Sequence, residues 1–108
     1  MNRLIDSNYI PKIILINQIM KIAKPFKVGG LSFKYHSTQR NAVGFIVSKR
    51  YGNAVKRNLF KRRCRNVFTS LWGDSDLQVS VIVYPVKQNI SFREIDNSFR
   101  TLYDKICA

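Results

Sequence analysis

The chain has 108 residues, 45% of them hydrophobic, which suits one domain built on one buried core. Lysine and arginine number 19 against six acidic residues, a formal net charge of +13. So large an excess is matched by a polyanion, and it argues against a domain that works without an anionic partner.

Ser7 or Asn8 is placed to cap a first helix, with Pro11 in its first turn. Residues 10–23 are rich in isoleucine, so a strand is the alternative, but their length and lack of alternation favour helix. Lys12, Asn17, Gln18 and Lys21 interrupt the stretch, which is too short to cross a bilayer. It also lacks the basic start and small-residue cleavage site of a secretory signal, so a cytoplasmic protein with no membrane partner is expected. Pro25 is expected to end this helix. Phe26 to Val28 and Leu31 to His36 flank Gly29-Gly30 as a hairpin with a two-residue turn. Leu31, Phe33 and Tyr35 alternate with polar residues, and form either a core-facing row or, at Tyr35, a platform for an unpaired base. Residues 37–41 read as a loop. Val43 to Ser48 reads as a buried central strand with Lys49 and Arg50 at its end. Gly52-Asn53 turns the chain into a helix over residues 54–71, which Gly73 to Asp76 break. Residues 77–84 form a strand that stops at Pro85. Ser91 and Glu94 make a capping box for a last helix with Phe92, Ile95, Phe99, Leu102 and Ile106 on its apolar face. The order is α-β-β-β-α-β-α, an α+β domain over residues 1–108 without repeats or linkers.

The chemistry concentrates in residues 49–65, where eight of seventeen are Lys or Arg and none is Asp or Glu. Phe60, Cys64, Val67, Phe68 and Leu71 recur at spacings of three and four, so they share one helical face. Asn58, Lys61, Arg62 and Arg65 fall on a neighbouring face. Arg57 projects near the apolar arc, whereas Val55 and Leu59 lie on the far side. A merely solvated face mixes its signs, and this one does not. Arginine forks match phosphate oxygens in pairs, and lysines add point charge, so RNA binding is the natural use. For catalysis there is little. His36 is the single histidine, six carboxylates are scattered, and no nucleotide-binding or nucleophile signature occurs. Asp74 and Asp76 fit a turn, and their spacing is not specific for Mg2+. Cys64 and Cys107 have no metal-ligand spacing and are expected as reduced thiols.

The run Gly44-Phe45-Ile46-Val47-Ser48-Lys49-Arg50, then Gly52-Asn53-Ala54-Val55, Arg57-Asn58, Lys61-Arg62 and Arg65 resembles the protein subunit of bacterial ribonuclease P. The likeness is close over residues 43–68, and elsewhere rests on element order and on Asn2-Arg3-Leu4. It implies a two-layer sandwich with a left-handed β-α-β crossover through the basic helix, a fold type shared with a ribosomal-protein domain. It implies that a large RNA subunit carries the catalysis and most of the Mg2+, so no protein residue is catalytic. The protein would bind that RNA as a monomer, one protein to one RNA. It would hold the 5′ leader of precursor tRNA between the first helix and a sheet face. Carried onto this chain, the RNA contacts are Lys49, Arg50, Arg57, Asn58, Lys61, Arg62 and Arg65, and the leader contacts are Lys34 and Tyr35. Leu59 departs from the pattern, standing where the family has an arginine, so that contact is absent or moved to Arg63. The rivals are a generic small RNA-binding protein, such as a ribosomal protein, and a stand-alone nuclease, which would need clustered carboxylates or a paired histidine.

Overall fold

A glycine pair turns the chain back on itself to begin the sheet. In a computed structural model, which describes residues 23–37, 41–73 and 79–107, Lys24–Val28 (β1) pairs antiparallel with Leu31–Ser37 (β2), Val28 opposite Leu31. Gly29 takes φ +59, and a Cβ there would meet Ser98 Oγ at 2.9 Å. Glycine thus serves both the tight turn and the close approach. The expected helix at the start of the chain lies outside the described residues. Pro25, expected to end that helix, is the second residue of β1, an edge strand among the described residues, where its missing N–H is tolerated.

Among the described residues the sheet has four strands in the order β1-β2-β4-β3, where β3 is Ala42–Phe45 and β4 is Val79–Pro85. β2 and β4 run antiparallel, and β3 and β4 run parallel. Their connection is a crossover through the basic helix, Ala54–Trp72 (α1). The last helix is Phe92–Cys107 (α2). The order of the described elements is the expected one. One expectation about β3 fails, since it is an edge strand and β4 is the central one. All four β3 residues are buried despite a single neighbouring strand, so an apolar run alone does not distinguish the two positions.

Pleat alternation sorts the side chains. Leu31, Phe33, Val43, Phe45, Val79, Val81 and Val83 face the helices. They meet Phe60, Cys64, Val67, Phe68 and Trp72 of α1, and Ile95, Phe99 and Leu102 of α2. Burial of each such side chain contributes about 1.5–3 kcal/mol. Trp72 joins the two helices, with ring centroids 4.9 Å from both Phe68 and Tyr103. Ser98 of α2 is buried and donates from Oγ to the Val28 carbonyl at 3.3 Å, docking the helix on the hairpin. The expected capping box is present. Glu94 N–H donates to Ser91 Oγ at 3.1 Å and Ser91 N–H to Glu94 Oε1 at 3.3 Å. Phe92 departs from its expected apolar face and stands 48% exposed.

Candidate nucleic-acid interface

The entry to α1 is built from turns rather than from a strand end. After Phe45 the chain leaves the ladder with one more bond, Ile46 N–H to Val83 O at 3.0 Å. Lys49 and Arg50 then lie on a single 3₁₀ turn, Lys49–Tyr51, instead of ending the strand. Gln88 clamps this turn by donating from Nε2 to the Arg50 carbonyl at 2.6 Å. Gly52 follows with φ +156, where a Cβ would lie 2.8 Å from Lys56 Cδ. Asn53 caps the helix, its side chain accepting from Lys56 N–H at 3.0 Å.

Three groups of basic residues result. Lys49 and Arg50 are exposed on the turn. Along one flank of α1 stand Asn58 and Arg62, both exposed, with Lys61 and Arg65 half-buried beside them. Arg65 lies with its guanidinium carbon 5.5 Å from the centroid of Phe45, so its planar head is held at the edge of the core. The other flank carries Lys56 and Arg63. Arg57 belongs to neither flank, because its Nη1 donates to the Gly52 carbonyl at 3.0 Å and braces the turn. This matches its projection near the apolar arc. Val55 is 75% exposed, and Leu59 is half-buried in a cleft with Tyr51 and Ile90.

No acidic residue occurs in the first turn of α1, although Lys56 and Arg57 are there. Positive charge at the positive end of the helix macrodipole is unfavourable, and an anion placed there removes the conflict. On the apolar side, burial pushes the Cys64 thiol up, so it stays protonated. Cys64 and Cys107 are both free thiols, as expected. Burial also raises the Tyr51 phenol, against an opposing hydrogen bond from the Ile90 backbone.

The two leader candidates part company. Tyr35 lies on the helix-covered face with Leu31 and Phe33, half-buried against the core. Lys34 lies on the opposite face, opposite Ile82, and shares it with Lys27, His36 and Tyr84. Two groups the sequence reading passed over shape the site from a distance. Asn41, read as loop, donates from Nδ2 to the Trp72 carbonyl and accepts at Oδ1 from Val79 N–H, both at 3.0 Å. It thereby ties the end of α1 to the start of β4. Tyr51 is the other, packed on Phe60 at 5.1 Å between centroids. Among the described residues no three His, Cys, Asp or Glu side chains gather as a metal site, and no helix is long and apolar enough to cross a membrane.

The family model for ribonuclease P matches residues 10–107. A ribonuclease P protein component from Finegoldia magna is 29% identical over 66 residues, covering 59% of this chain and 58% of that protein. One from Mesomycoplasma hyopneumoniae is 33% identical over 78 residues, covering 70% of this chain and 65% of that protein. The chain thus spans less than two thirds of the length of either relative. Among solved structures, an RNase P protein of Staphylococcus aureus superposes with a TM-score of 0.75 at 23% identity, covering 90% of this chain and 93% of the other. One from Thermotoga maritima gives 0.70 at 18% identity, covering 83% and 89%. At these identities the structures show a shared fold.

Proposed function

Because the chain belongs to the ribonuclease P family, we propose that it is the protein component of that ribonucleoprotein endoribonuclease, acting in removal of 5′ leaders from precursor tRNA. The observation that carries this reading is α1, with its turn: a rigid, capped helix with a basic flank and no acidic residue. Its work is to bind and position RNA. Lys49, Arg50, Lys61, Arg62 and Arg65 supply charge to the backbone of the RNA subunit, and Asn58 supplies a neutral donor and acceptor. Arg57 acts mainly by holding the Gly52 turn, which sets where the Lys49–Tyr51 turn stands. The chemical step belongs to the RNA subunit. Mg2+, which seeks oxygen ligands and supplies Lewis acidity when bound, is held mainly there.

For the leader, the face that carries Lys34 is the better surface, since Lys27, His36 and Tyr84 accompany Lys34 on it. Tyr84 then takes the stacking role first considered for Tyr35. We place the complex in the cytoplasm as one protein with one RNA, independent of membranes. No observation favours a generic RNA-binding module.

The test is a timed gel of labelled precursor tRNA with protein alone, cognate RNA subunit with Mg2+, and both. Cleavage at low salt should rise sharply on adding the protein, and more for a leader of several nucleotides than for a single one. Specific cleavage by RNA-free protein would overturn the reading in favour of a nuclease.

A further inference from the structure

The opposite flank of α1 holds a feature that the proposed RNA-subunit contacts do not use. A cleft of 210 Å³ opens between Tyr51, Leu59 and Ile90, with Lys56 and Arg63 at its rim. It is smaller than the roughly 300–1,000 Å³ of clefts that hold drug-sized ligands. Its floor is apolar, with Ile90 4% and Phe60 1% exposed. One wall is the Tyr51 ring, whose tilt is set by packing on Phe60 at 51° between planes. A second cleft, of 330 Å³, adjoins it across Tyr51 and has Arg50 and Lys87 on its walls.

Among the described residues that line this cleft, the charged ones are both cations. Lys56 stands in the first turn of α1, where the helix end adds to its field. Arg63 lies further along the same flank. The acidic group whose charge reaches Tyr51 is Glu94, and it is already paired with Lys87 at 2.7 Å. An aromatic wall and an apolar floor accept the face of a base, and a cationic rim accepts its phosphate. A purely structural groove explains the floor but leaves the rim cations, which form no ion pair among the described residues, without a role.

We infer that this cleft is a second RNA contact, which takes one unpaired nucleotide with its base against Tyr51 and Leu59 and its phosphate between Lys56 and Arg63. The strand then runs across Tyr51 toward Arg50. The protein would therefore grip RNA on both flanks of α1. The inference rests on the proposed function in that its ligand is RNA.

The full-length protein can be titrated with a short fluorescein-labelled oligouridylate, followed by anisotropy and by amide and methyl NMR. Signals of Tyr51, Leu59 and Ile90 should shift on binding. Lys56→Gln with Arg63→Gln should weaken oligouridylate binding about tenfold through two lost charge-assisted contacts, and Tyr51→Leu about fivefold or more through lost stacking. Lys24→Gln with Lys105→Gln removes the same charge from another cleft, between the start of β1 and the end of α2, and its effect should stay within about twofold. Equal losses from the two charge pairs, or shifts confined to Asn58, Lys61, Arg62 and Arg65 of the other flank, would overturn the second contact. Should Tyr51→Leu fail to fold, the Lys56 and Arg63 pair still decides the question. Binding of the ribonuclease P RNA that depends on Lys61 and Arg65 but not on Lys56 and Arg63 would remove this inference alone. Absence of binding to either RNA would remove the proposed function as well.

Discussion

The two described α-helices differ in how each meets its own macrodipole. α2 opens with Glu94 in its first turn and closes with Lys105 in its last. Its sequence carries three basic and three acidic residues over positions 92–107, and Asp96 pairs with Arg100 at 3.0 Å. Glu94 likewise pairs with Lys87 at 2.7 Å, so two of the three acids of α2 have partners within the protein. α1 has no acid in its first turn, no base in its last, and six lysines and arginines along its length. Each wrong-signed charge in a terminal turn costs about 0.3–1 kcal/mol. Both helices bury an apolar face in the same core, so folding alone does not require this arrangement. The difference separates a helix whose terminal charges suit its dipole from one whose first turn opposes it, a conflict that an anion bound there would relieve, in line with the RNA contact proposed for α1.

Trp72→Ala should break the comparison most completely. That side chain links α1 to α2 and is fully buried, so its loss should cost about 3–5 kcal/mol, read from denaturant unfolding. Both helices should melt together. Next in size, Lys61→Ala with Arg65→Ala should weaken binding of the RNA subunit by about 1–3 kcal/mol with little change in stability. In α2, Arg93→Ala with Arg100→Ala should leave RNA affinity nearly unchanged. Equal losses from these two pairs would mean that only total charge matters. Val55→Glu sharpens the contrast, because the position is 75% exposed and lies in the first turn of α1. A carboxylate there should stabilise the free protein by about 0.3–1 kcal/mol while weakening RNA binding. A loss in both would contradict the reading of α1. The smallest effect belongs to α2. The hydrogen bond from Lys87 and the capping bonds of Ser91 hold the Glu94 carboxyl below its usual value. Its small contribution is complete above the ordinary glutamate range and fades as pH falls through the lowered value. In Glu94→Gln, the unfolding midpoint should depend less on pH across that acidic window.

Much of this was legible wherever the local signal and the tertiary environment agree. Gly29-Gly30 between alternating runs marks its hairpin, Asn53 marks the start of α1, and Ser91 with Glu94 marks the start of α2. The basic flank followed from helical spacing, because Phe60, Cys64, Val67 and Phe68 are indeed the buried face. What stayed hidden depends on long-range placement. Trp72, buried at the last turn of α1, continues the apolar face only because Tyr103 of α2 meets it there. Asn41 looks like any polar loop residue until its two hydrogen bonds across the fold are seen. The row of Leu31, Phe33 and Tyr35 could not be assigned a side until the helices were in place, and that assignment puts Lys34 on the other face. Ile46 to Ser48 resembles more strand, but the chain must turn there to enter α1. The match of one apolar floor, one aromatic wall and two cations around Leu59 likewise exists only in the folded chain.

The most direct test of α1 as an electrostatic RNA grip is the affinity of the full-length protein for ribonuclease P RNA across a salt series. If about five to eight of the basic residues of α1 and the turn that leads into it neutralise phosphates, the plot of log affinity against log salt should fall with a slope of about −4 to −7. Lys61→Ala with Arg65→Ala should make that slope shallower by about two. A slope near zero, or one that the double substitution leaves unchanged, would contradict the assignment of the RNA contact to this helix.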